Sequence, residues 1–350
     1  MEDRNVKLTT GGYKRNIILT DFQPDGDFSF KIGVEKVTCR EWEVIGDKSN
    51  YLFCSFFAKL KRYFHYFIFP LSLFFRRKKF NAIISWQQFY GLIYAFYSRL
   101  FHVKKRHPLI VMTFIYKDKG GALGKIYKRF MSYIVTSKYI DKFIVFNSKE
   151  CVYYSNLFKV PVEKFVFLPL GVEDDSKKFS IEKGDRLLSV GRSNRDYDFL
   201  ISALQGTEYQ IDILCDNLHV DTTDNIKIYT DKHDDEYFEM LSKCFCVIIP
   251  LKDINISSGQ LVITQAMMMG KPIIITDVPS VYDYVQNEKT ALCIKNNKKE
   301  LIEAIEKLKS DDKLYNLLSI EGRERFCNMG TNFDLGESVG KILCISNNEK

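Results

Sequence analysis

The sequence predicts an α/β protein of two domains, each with its own parallel sheet. Its 350 residues exceed the roughly 250 that a single hydrophobic core usually serves. With 46% hydrophobic and 27% charged residues, the composition is that of a globular chain. Short apolar runs alternate with helical patterns in both halves, and this alternation is typical of parallel sheets joined by crossover helices.

The first half contains five short apolar runs that predict buried strands. They cover residues 15–20, 81–86, 108–113, 142–146 and 165–169. A helical pattern follows the second run through Leu100, and a long basic helix is predicted over about 123–137. These elements favour an α/β domain over residues 1–170.

The pattern restarts in the second half, after a predicted linker at 170–184. Strands are predicted over 186–190, 210–214, 226–229, 246–250 and 271–276. Helices are predicted over 197–204, 234–242, 261–269 and 298–308. We therefore expect a second α/β domain over residues 171–330, followed by a C-terminal helix over 331–350 that returns to the first domain.

Charge divides the chain in the same place. Residues 1–170 hold 29 Lys and Arg against 13 Asp and Glu, for a net charge of +16, whereas residues 171–350 carry −9. Between Lys48 and Lys117 there is no acidic residue. A basic first half favours an anionic partner, either a membrane surface or a nucleic acid.

The stretch Phe56–Lys79 is both basic and aromatic. Its longest uncharged run, Tyr63–Phe75, has 13 residues and includes Pro70, so it is too short to span a bilayer as a helix. Aromatic rings flanked by cations suit an interfacial segment on an anionic membrane. The alternative is a pair of buried helices with solvated basic ends. Nucleic-acid binding has less support, because no recognised nucleic-acid motif accompanies the charge.

Cysteine and histidine patterns predict neither disulfides nor a metal site. The nine cysteines include no C-x-x-C pair, and the five histidines show no ligand spacing. The D-x-D at Asp25–Asp27 is interpreted as a turn. The first residues, MEDRNVKLTT, lack the apolar region of a signal peptide, so we expect a cytoplasmic protein with reduced thiols.

The loop after the strand at 186–190 is the first candidate binding site. Ligands of open parallel sheets bind at the carboxyl ends of strands. Here Gly191 lets the chain leave the strand freely, and Arg192 and Arg195 can both reach one anion. The planar guanidinium group donates two hydrogen bonds to a phosphate. A solvated loop with incidental arginines is the alternative interpretation.

The second candidate is the start of the helix at 261–269. Ser257, Ser258, Gly259 and Gln260 precede the helix and should present backbone N–H groups beside the positive end of its dipole, which suits a phosphate. Either serine could instead be an ordinary N-cap. Gln265, two turns on, projects from the same face and suits paired ribose hydroxyls.

These residues together resemble the nucleotide-sugar domain of GT-B glycosyltransferases, and most closely glycosyltransferase family 4. The matching segments are LLSVGRSNRDYDFL (187–200), VIIPL (247–251) and SSGQLVITQAMMMGKPIIITDVPSVYDYV (257–285). The segment 139–174 is similar to the family's connection between acceptor and donor domains. The family's usual pattern has glutamates where this chain has Ser257 and Gln265.

The resemblance implies a GT-B fold, with two Rossmann-like domains facing each other across a cleft. It implies transfer of a sugar from a nucleoside-diphosphate sugar with retention of configuration. Arg192 and Arg195 would be catalytic, and they and the helix start would neutralise the diphosphate without a cofactor or metal. Donor binding would also involve Lys252 and, near the base, Tyr229. We favour a UDP-sugar over a GDP-sugar, although the residues do not decide between the bases.

The acceptor is expected at the strand-end loops of the first half, which nominates Gln87, Lys117 and Asp118. A basic, aromatic acceptor domain suits a lipid-linked glycan, so the resemblance implies bacterial surface polysaccharide assembly on the inner face of the plasma membrane. Two other classes stay open: a non-catalytic GT-B-like partner protein, favoured by Ser257 and Gln265, and a nucleic-acid-binding protein. A dehydrogenase is disfavoured because no G-x-G-x-x-G follows a strand.

Overall fold

The computed structural model describes residues 14–24, 26–46, 56–253 and 257–348, which fall into two compact units. The first unit comprises Met1–Val145, Cys151–Phe167 and Gly336–Lys350. The second comprises Phe146–Glu150 and Leu168–Leu335. Each unit contains one parallel sheet, so the predicted α/β class with two parallel sheets is confirmed.

The first unit has a six-stranded parallel sheet in the order β2-β1-β3-β4-β5-β6. Its strands are β1 (Arg15–Thr20), β2 (Trp42–Gly46), β3 (Phe80–Ser85), β4 (Leu109–Val111), β5 (Lys142–Val145) and β6 (Phe165–Phe167). The helices in this part of the chain are α1 (Ser29–Thr38), α2 (Phe56–Phe75), α3 (Gln88–Leu100), α4 (Gly121–Val135) and α5 (Ser148–Phe158). The four inner strands are largely buried on both faces, as expected for a parallel sheet covered by helices, whereas the edge strands β2 and β6 are only partly buried.

The second unit repeats this arrangement, with its strands in the order β12-β11-β10-β7-β8-β9. They are β7 (Leu187–Val190), β8 (Ile211–Leu214), β9 (Ile226–Tyr229), β10 (Val247–Ile249), β11 (Ile273–Thr276) and β12 (Leu292–Ile294). The helices are α6 (Tyr197–Leu204), α7 (Asp234–Lys243), α8 (Gln260–Met268), α9 (Lys298–Ser310), α10 (Asp312–Met329) and α11 (Asn332–Asn348). The sequence of α10 carries no strong apolar stripe, and it was not predicted.

Helix α11 ends in the first unit, where it packs on α1. A Cβ atom built on Gly336 would lie 2.1 Å from the carbonyl oxygen of Phe30, so only glycine allows the two backbones to approach this closely. Lys36 and Glu337 form an ion pair of 2.5 Å beside this contact.

The basic aromatic stretch forms the single helix α2, so the alternative of a pair of helices is wrong. The helix continues through Pro70. Proline removes a helical hydrogen bond, but packing on α3 holds the helix on both sides of it. Before the proline, the rings of Tyr66 and Phe89 are 5.0 Å apart, and after it those of Phe74 and Tyr97 are 6.2 Å apart. No helix among the described residues has the length and hydropathy needed to cross a bilayer.

The predicted linker at 170–184 is fixed on the second unit by an ion pair. Arg323 of α10 donates from both terminal nitrogens to Asp174, at 3.1 and 2.5 Å, and also to the carbonyl oxygen of Met268 at 2.7 Å. These bonds lower the pKa of Asp174 from 3.8 to about 2. The segment therefore contributes to the stability of the second unit.

Replacing Arg323 with methionine is expected to lower the free energy of unfolding by about 2 kcal/mol at pH 7. Because folding depresses the pKa of Asp174, the stabilisation is present above its unfolded value of 3.8 and is lost as the pH falls towards 2. Urea unfolding at pH 7, 5, 4 and 3 should therefore show a difference from wild type that shrinks below pH 4.

Lys289→Met is the matched control for this measurement, because the 3.3 Å pair of Lys289 with Glu321, also on α10, is more exposed. It should cost less than about 1 kcal/mol. A difference between Arg323→Met and wild type that grows on acidification would contradict the assigned role of Asp174.

Candidate functional site

The candidate site of the second unit lies at the carboxyl ends of β7 and β10, in the loops that lead to α6 and α8. Gly191 leaves β7 with a φ of 111°, a conformation that side chains rarely adopt. A Cβ atom at this position would lie 2.9 Å from a terminal nitrogen of Arg195. The turn therefore favours glycine here, and any other side chain would also displace the guanidinium of Arg195 from its present position.

Arg195 is partly buried against the loop that it belongs to. Its Nε donates to the carbonyl oxygen of Val190 and its Nη1 to that of Ser193, each at 3.0 Å. Burial lowers the pKa of its guanidinium from the usual value. The hydrogen bonds of this cation thus go to carbonyl oxygens, and its charge is not neutralised by a carboxylate among the described contacts.

Arg192 is exposed and extends from the same loop. Its Nη1 forms a 3.0 Å ion pair with Asp216, which follows β8. This contact between Arg192 and Asp216 was not predicted from the sequence. An exposed pair of this kind contributes little to stability, so Arg192 can exchange this partner for another anion at small cost.

Asn194 joins the two candidate loops, and the sequence analysis did not single it out. Its side-chain amide donates to the carbonyl oxygen of Asp253 at 3.0 Å and to Oγ of Ser258 at 2.9 Å. Its Oδ1 accepts from the backbone N–H of Asp253 at 2.7 Å. Its φ of 54° is the signal that the loop turns sharply here. Asn194 therefore holds the arginine loop beside the start of α8.

The start of α8, which the sequence predicts as a phosphate site, is formed by Gly259 and the residues beside it. Gly259 is the N-cap residue, has a φ of 92°, and provides no side chain to cap the first turn. Ser257 is engaged instead by a short hydrogen bond from the side chain of Gln260. The first N–H groups of α8 have no partner within the helix, and they lie at the positive end of its dipole.

Gln265 is oriented by a residue that the sequence did not reveal. The hydroxyl of the buried Tyr237 on α7 donates to Oε1 of Gln265 at 2.9 Å. Burial raises the pKa of Tyr237 well above its usual value, so the hydroxyl stays a donor at neutral pH. With its carbonyl oxygen engaged, Gln265 offers its amide N–H groups to a ligand.

A partly buried polar network links the strand ends beneath the site. Thr276 at the end of β11 accepts from the backbone N–H of Leu251 at 2.7 Å, and its hydroxyl lies 2.7 Å from Oδ1 of Asn296. The amide of Asn296 donates to Leu251 at 2.8 Å and to Asp196 at 3.2 Å. Asp196 also caps α6. The network fixes both loops relative to the sheet.

The remaining donor candidates lie around this site. Lys252 follows β10, donates its backbone N–H to the carbonyl of Asn194 at 3.3 Å, and forms an exposed 3.4 Å ion pair with Asp198. Tyr229 ends β9, is partly buried, and accepts at its carbonyl oxygen from the N–H of Cys215 at 3.0 Å.

The acceptor candidates belong to the first unit. Gln87 caps α3 and donates to Asp21 at 2.6 Å. Asp118 accepts from the hydroxyl of Tyr116 at 3.1 Å and pairs with Lys128 at 3.6 Å. Lys117 beside it is exposed.

The D-x-D turn is described only in part, because Asp25 lies outside the described residues. Among the described residues, no group of three or more His, Cys, Asp and Glu side chains is arranged to hold a metal ion.

Comparison with known proteins supports the predicted family in part. Residues 206–325, about a third of the chain, match the family model described as "Glycosyl transferases group 1". This segment includes α8 and the strands β8 to β12, and it begins after β7 and the loop that carries Arg192 and Arg195. In sequence, no curated protein matches the chain.

Solved structures match over nearly the whole chain. HepE from Anabaena in complex with UDP-glucose has a TM-score of 0.69 at 11% identity, with 94% of this chain and 99% of that chain covered. Sucrose-phosphate synthase from Thermosynechococcus elongatus has a TM-score of 0.69 at 14% identity, covering 96% and 100%. WaaG, described as a glycosyltransferase involved in lipopolysaccharide biosynthesis, has a TM-score of 0.62 at 13% identity, covering 94% and 99%.

At these identities the structural similarity establishes the fold, and the family model matches residues 206–325 of the second unit. The protein therefore has the GT-B fold, and its second unit carries a glycosyltransferase group 1 domain.

Proposed function

We propose that the protein transfers a sugar from a nucleoside-diphosphate sugar to a lipid-linked glycan acceptor, with retention of configuration. The observation that carries the donor half is the partly buried guanidinium of Arg195. It is bound to carbonyl oxygens beneath the Gly191 loop, which Asn194 holds at the start of α8. Among the described residues, this cation has no carboxylate partner, and it lies beside helical N–H groups that have no partner within their helix. An anionic ligand such as a diphosphate would match both.

The leaving group in this reaction is the nucleoside diphosphate, which gains negative charge as the glycosidic bond breaks. Arg192 would leave Asp216 to contact the developing charge, and the first N–H groups of α8 would stabilise it from the helix end. Gln265 would hold the ribose through its amide. Because these groups already neutralise the diphosphate, the proposed reaction requires no metal.

The donor we favour is a UDP-sugar, since a UDP-glucose complex is known for the structurally similar HepE. Ser257 stands where the family resemblance expects a carboxylate facing the sugar, so the sugar is held there by a neutral hydroxyl. The acceptor half of the proposal is supported by the +16 charge of residues 1–170 and by the exposed aromatic side of α2. The role we propose is assembly of a bacterial surface polysaccharide on the cytoplasmic leaflet.

A thermal-shift screen with UDP-, GDP- and ADP-sugars, followed by a hydrolysis assay, tests the donor half. UDP-sugars should raise the melting temperature by mass action, and slow hydrolysis of the same donor should persist in excess EDTA. No shift with any nucleotide sugar would overturn the proposal. Binding without hydrolysis or transfer would instead identify a non-catalytic GT-B-like protein, and a need for added manganese would contradict metal-independent catalysis.

Replacing Gln265 with leucine should raise the donor Michaelis constant roughly tenfold, because the ribose hydroxyls and Tyr237 lose their partner at a cost of about 1–2 kcal/mol. Gln265→Glu should be tolerated, since a carboxylate accepts from Tyr237 and from both ribose hydroxyls. Steady-state kinetics with a UDP-sugar provide the measurement. An unchanged Michaelis constant in the leucine variant would show that Gln265 only packs.

We also expect the protein to bind anionic membranes, through α2 and the turn that follows it. Neutralising Arg76, Arg77, Lys78 and Lys79 to glutamine should weaken sedimentation with phosphatidylglycerol vesicles strongly at low salt, because each cation contributes about 1 kcal/mol near an anionic leaflet. Donor hydrolysis should be unaffected.

The matched control for this experiment removes four exposed lysines of the second unit. They are Lys298, Lys299, Lys309 and Lys313. If this control loses as much vesicle binding as the first quadruple variant, the attraction reflects net charge and not the α2 segment. If the wild-type protein does not sediment with the vesicles, the proposed membrane binding is wrong.

A further inference from the structure

Helices α2, α3 and α4 of the first unit line an open groove of about 700 Å³. Nine of its eleven lining side chains are aliphatic or aromatic, and the other two are Arg62 and Lys119. The volume lies within the range of sites that hold small molecules. Apolar walls with two cations distinguish it from the phosphate site of the second unit.

Several of the apolar side chains that line the groove are much more exposed to solvent than core side chains. Leu123 is 81% exposed, Ile126 66%, Tyr63 64% and Phe67 42%, and all four line the groove. Contiguous exposed apolar surface of this kind marks a binding site in a soluble domain. The inner wall is rigid, because the buried ring of Tyr66 stacks on Phe89 with centroids 5.0 Å apart.

Both cations are held over aromatic rings of the groove. Nε of Arg62 donates to the hydroxyl of Tyr66 at 2.6 Å, and its guanidinium lies 5.4 Å from the centroid of that ring. Nζ of Lys119 lies 4.7 Å from the ring centroid of Tyr127. Two carboxylates lie near this wall: Asp118, which pairs with Lys128 at 3.6 Å, and Asp21, whose charge acts on Tyr66.

The groove opens where acceptor chemistry is expected. Helix α3 begins directly after β3, and α4 begins in the loop region after β4, so their first turns lie at the carboxyl edge of the sheet. Phe89 and Lys119 lie within two residues of Gln87 and Asp118, two of the three acceptor candidates. Ligands of open parallel sheets bind at this edge.

From these observations we infer that the groove binds the apolar chain of a lipid phosphate, with the phosphate held by Arg62 and Lys119. The inference rests on the proposed transfer to a lipid-linked acceptor and assigns that acceptor's chain a site. Apolar walls fit methylene or isoprenoid groups, whereas the polar edges of a nucleic-acid base would be left unpaired against them. Two cations on a mainly apolar groove match one amphiphile with an anionic head group.

Titration calorimetry of the full chain with dodecyl phosphate, below its micellar concentration, tests the inference. Wild type should bind one equivalent. Phe67→Asp should weaken binding by about tenfold or more, because it places a carboxylate against the chain. Phe64→Asp is the matched control: Phe64 is 67% exposed on the same helix and does not line the groove, so binding should change by less than about twofold.

A second comparison isolates the phosphate. Lys119→Gln should weaken dodecyl phosphate several-fold while leaving dodecanol binding unchanged. The inference is overturned if wild type does not bind dodecyl phosphate, if Phe64→Asp and Phe67→Asp weaken binding equally, or if inorganic phosphate binds as tightly as dodecyl phosphate.

The donor assay separates this inference from the proposed function. If the protein hydrolyses a UDP-sugar but does not bind dodecyl phosphate, the lipid site in the groove is excluded and the proposed transferase activity is still supported. If it binds dodecyl phosphate but no nucleotide sugar, the lipid site is supported and the proposed transferase activity is excluded.

Discussion

Arg192→Ala is expected to lower kcat by roughly 100-fold while the protein keeps its wild-type melting temperature. Removing a donor that stabilises the developing charge of a transition state costs about 3 kcal/mol. The structure explains why stability should not change: Arg192 is exposed, and its 3.0 Å pair with Asp216 is a surface contact. Turnover of a UDP-sugar and thermal unfolding of the same sample provide the two measurements.

Lys227→Ala is the control, because Lys227 is an exposed cation of the same unit on the central part of β9. It should leave both measurements unchanged. Asp216→Asn should retain activity, since it only weakens the ion pair that Arg192 is expected to leave during the reaction. If folded Arg192→Ala turns over at the wild-type rate, Arg192 has no part in the reaction.

Arg195→Met should have the largest combined effect, because it is expected to reduce both stability and turnover. Methionine leaves the carbonyl oxygens of Val190 and Ser193 without their donors, at a cost of about 1–3 kcal/mol in the free energy of unfolding. It also removes the positive charge beneath the diphosphate, so turnover should fall by roughly 100-fold or more. Urea unfolding and steady-state kinetics measure the two effects separately.

Arg195→Lys distinguishes charge from geometry. Lysine keeps the charge but cannot reproduce the planar set of donors that contacts both carbonyls. If Arg195 acts mainly by holding the loop, the lysine variant should resemble Arg195→Met in both measurements. If its charge is what matters, lysine should recover a large part of the turnover. Wild-type stability and turnover in the methionine variant would contradict both roles.

The local sequence predicted the strands and helices well where apolar runs are short and bounded by polar residues. The strand at 15–20, the helix at 197–204 and the strand at 226–229 were predicted with the observed bounds. Parallel strands buried on both faces need continuous apolar runs, and such runs are visible without knowledge of their neighbours.

Elements with weak local patterns were missed. Strand β2, with the sequence WEVIG, lies at the edge of its sheet and is only partly buried, so its apolar signal is diluted. Helix α2 continues through Pro70 because packing on α3 compensates for the lost hydrogen bond, and no local pattern reports that packing. The segment 170–184 is polar, and it was therefore predicted as a linker. It is fixed to the second unit because Asp174 pairs with Arg323, which is 149 residues away in sequence.

By itself, the sequence determined the α/β class, the two parallel sheets, and the positions of Gly191 and Gly259 at the ends of strands and starts of helices. These features depend on local periodicity and on backbone angles that glycine adopts, both of which are encoded within a few residues. Tertiary structure alone decided which groups meet: Asn194 with Ser258, Arg192 with Asp216, Tyr237 with Gln265, and Arg62 with Lys119 on one apolar groove. Contacts of this kind join residues that the sheet topology brings together, and a local pattern contains no information about them.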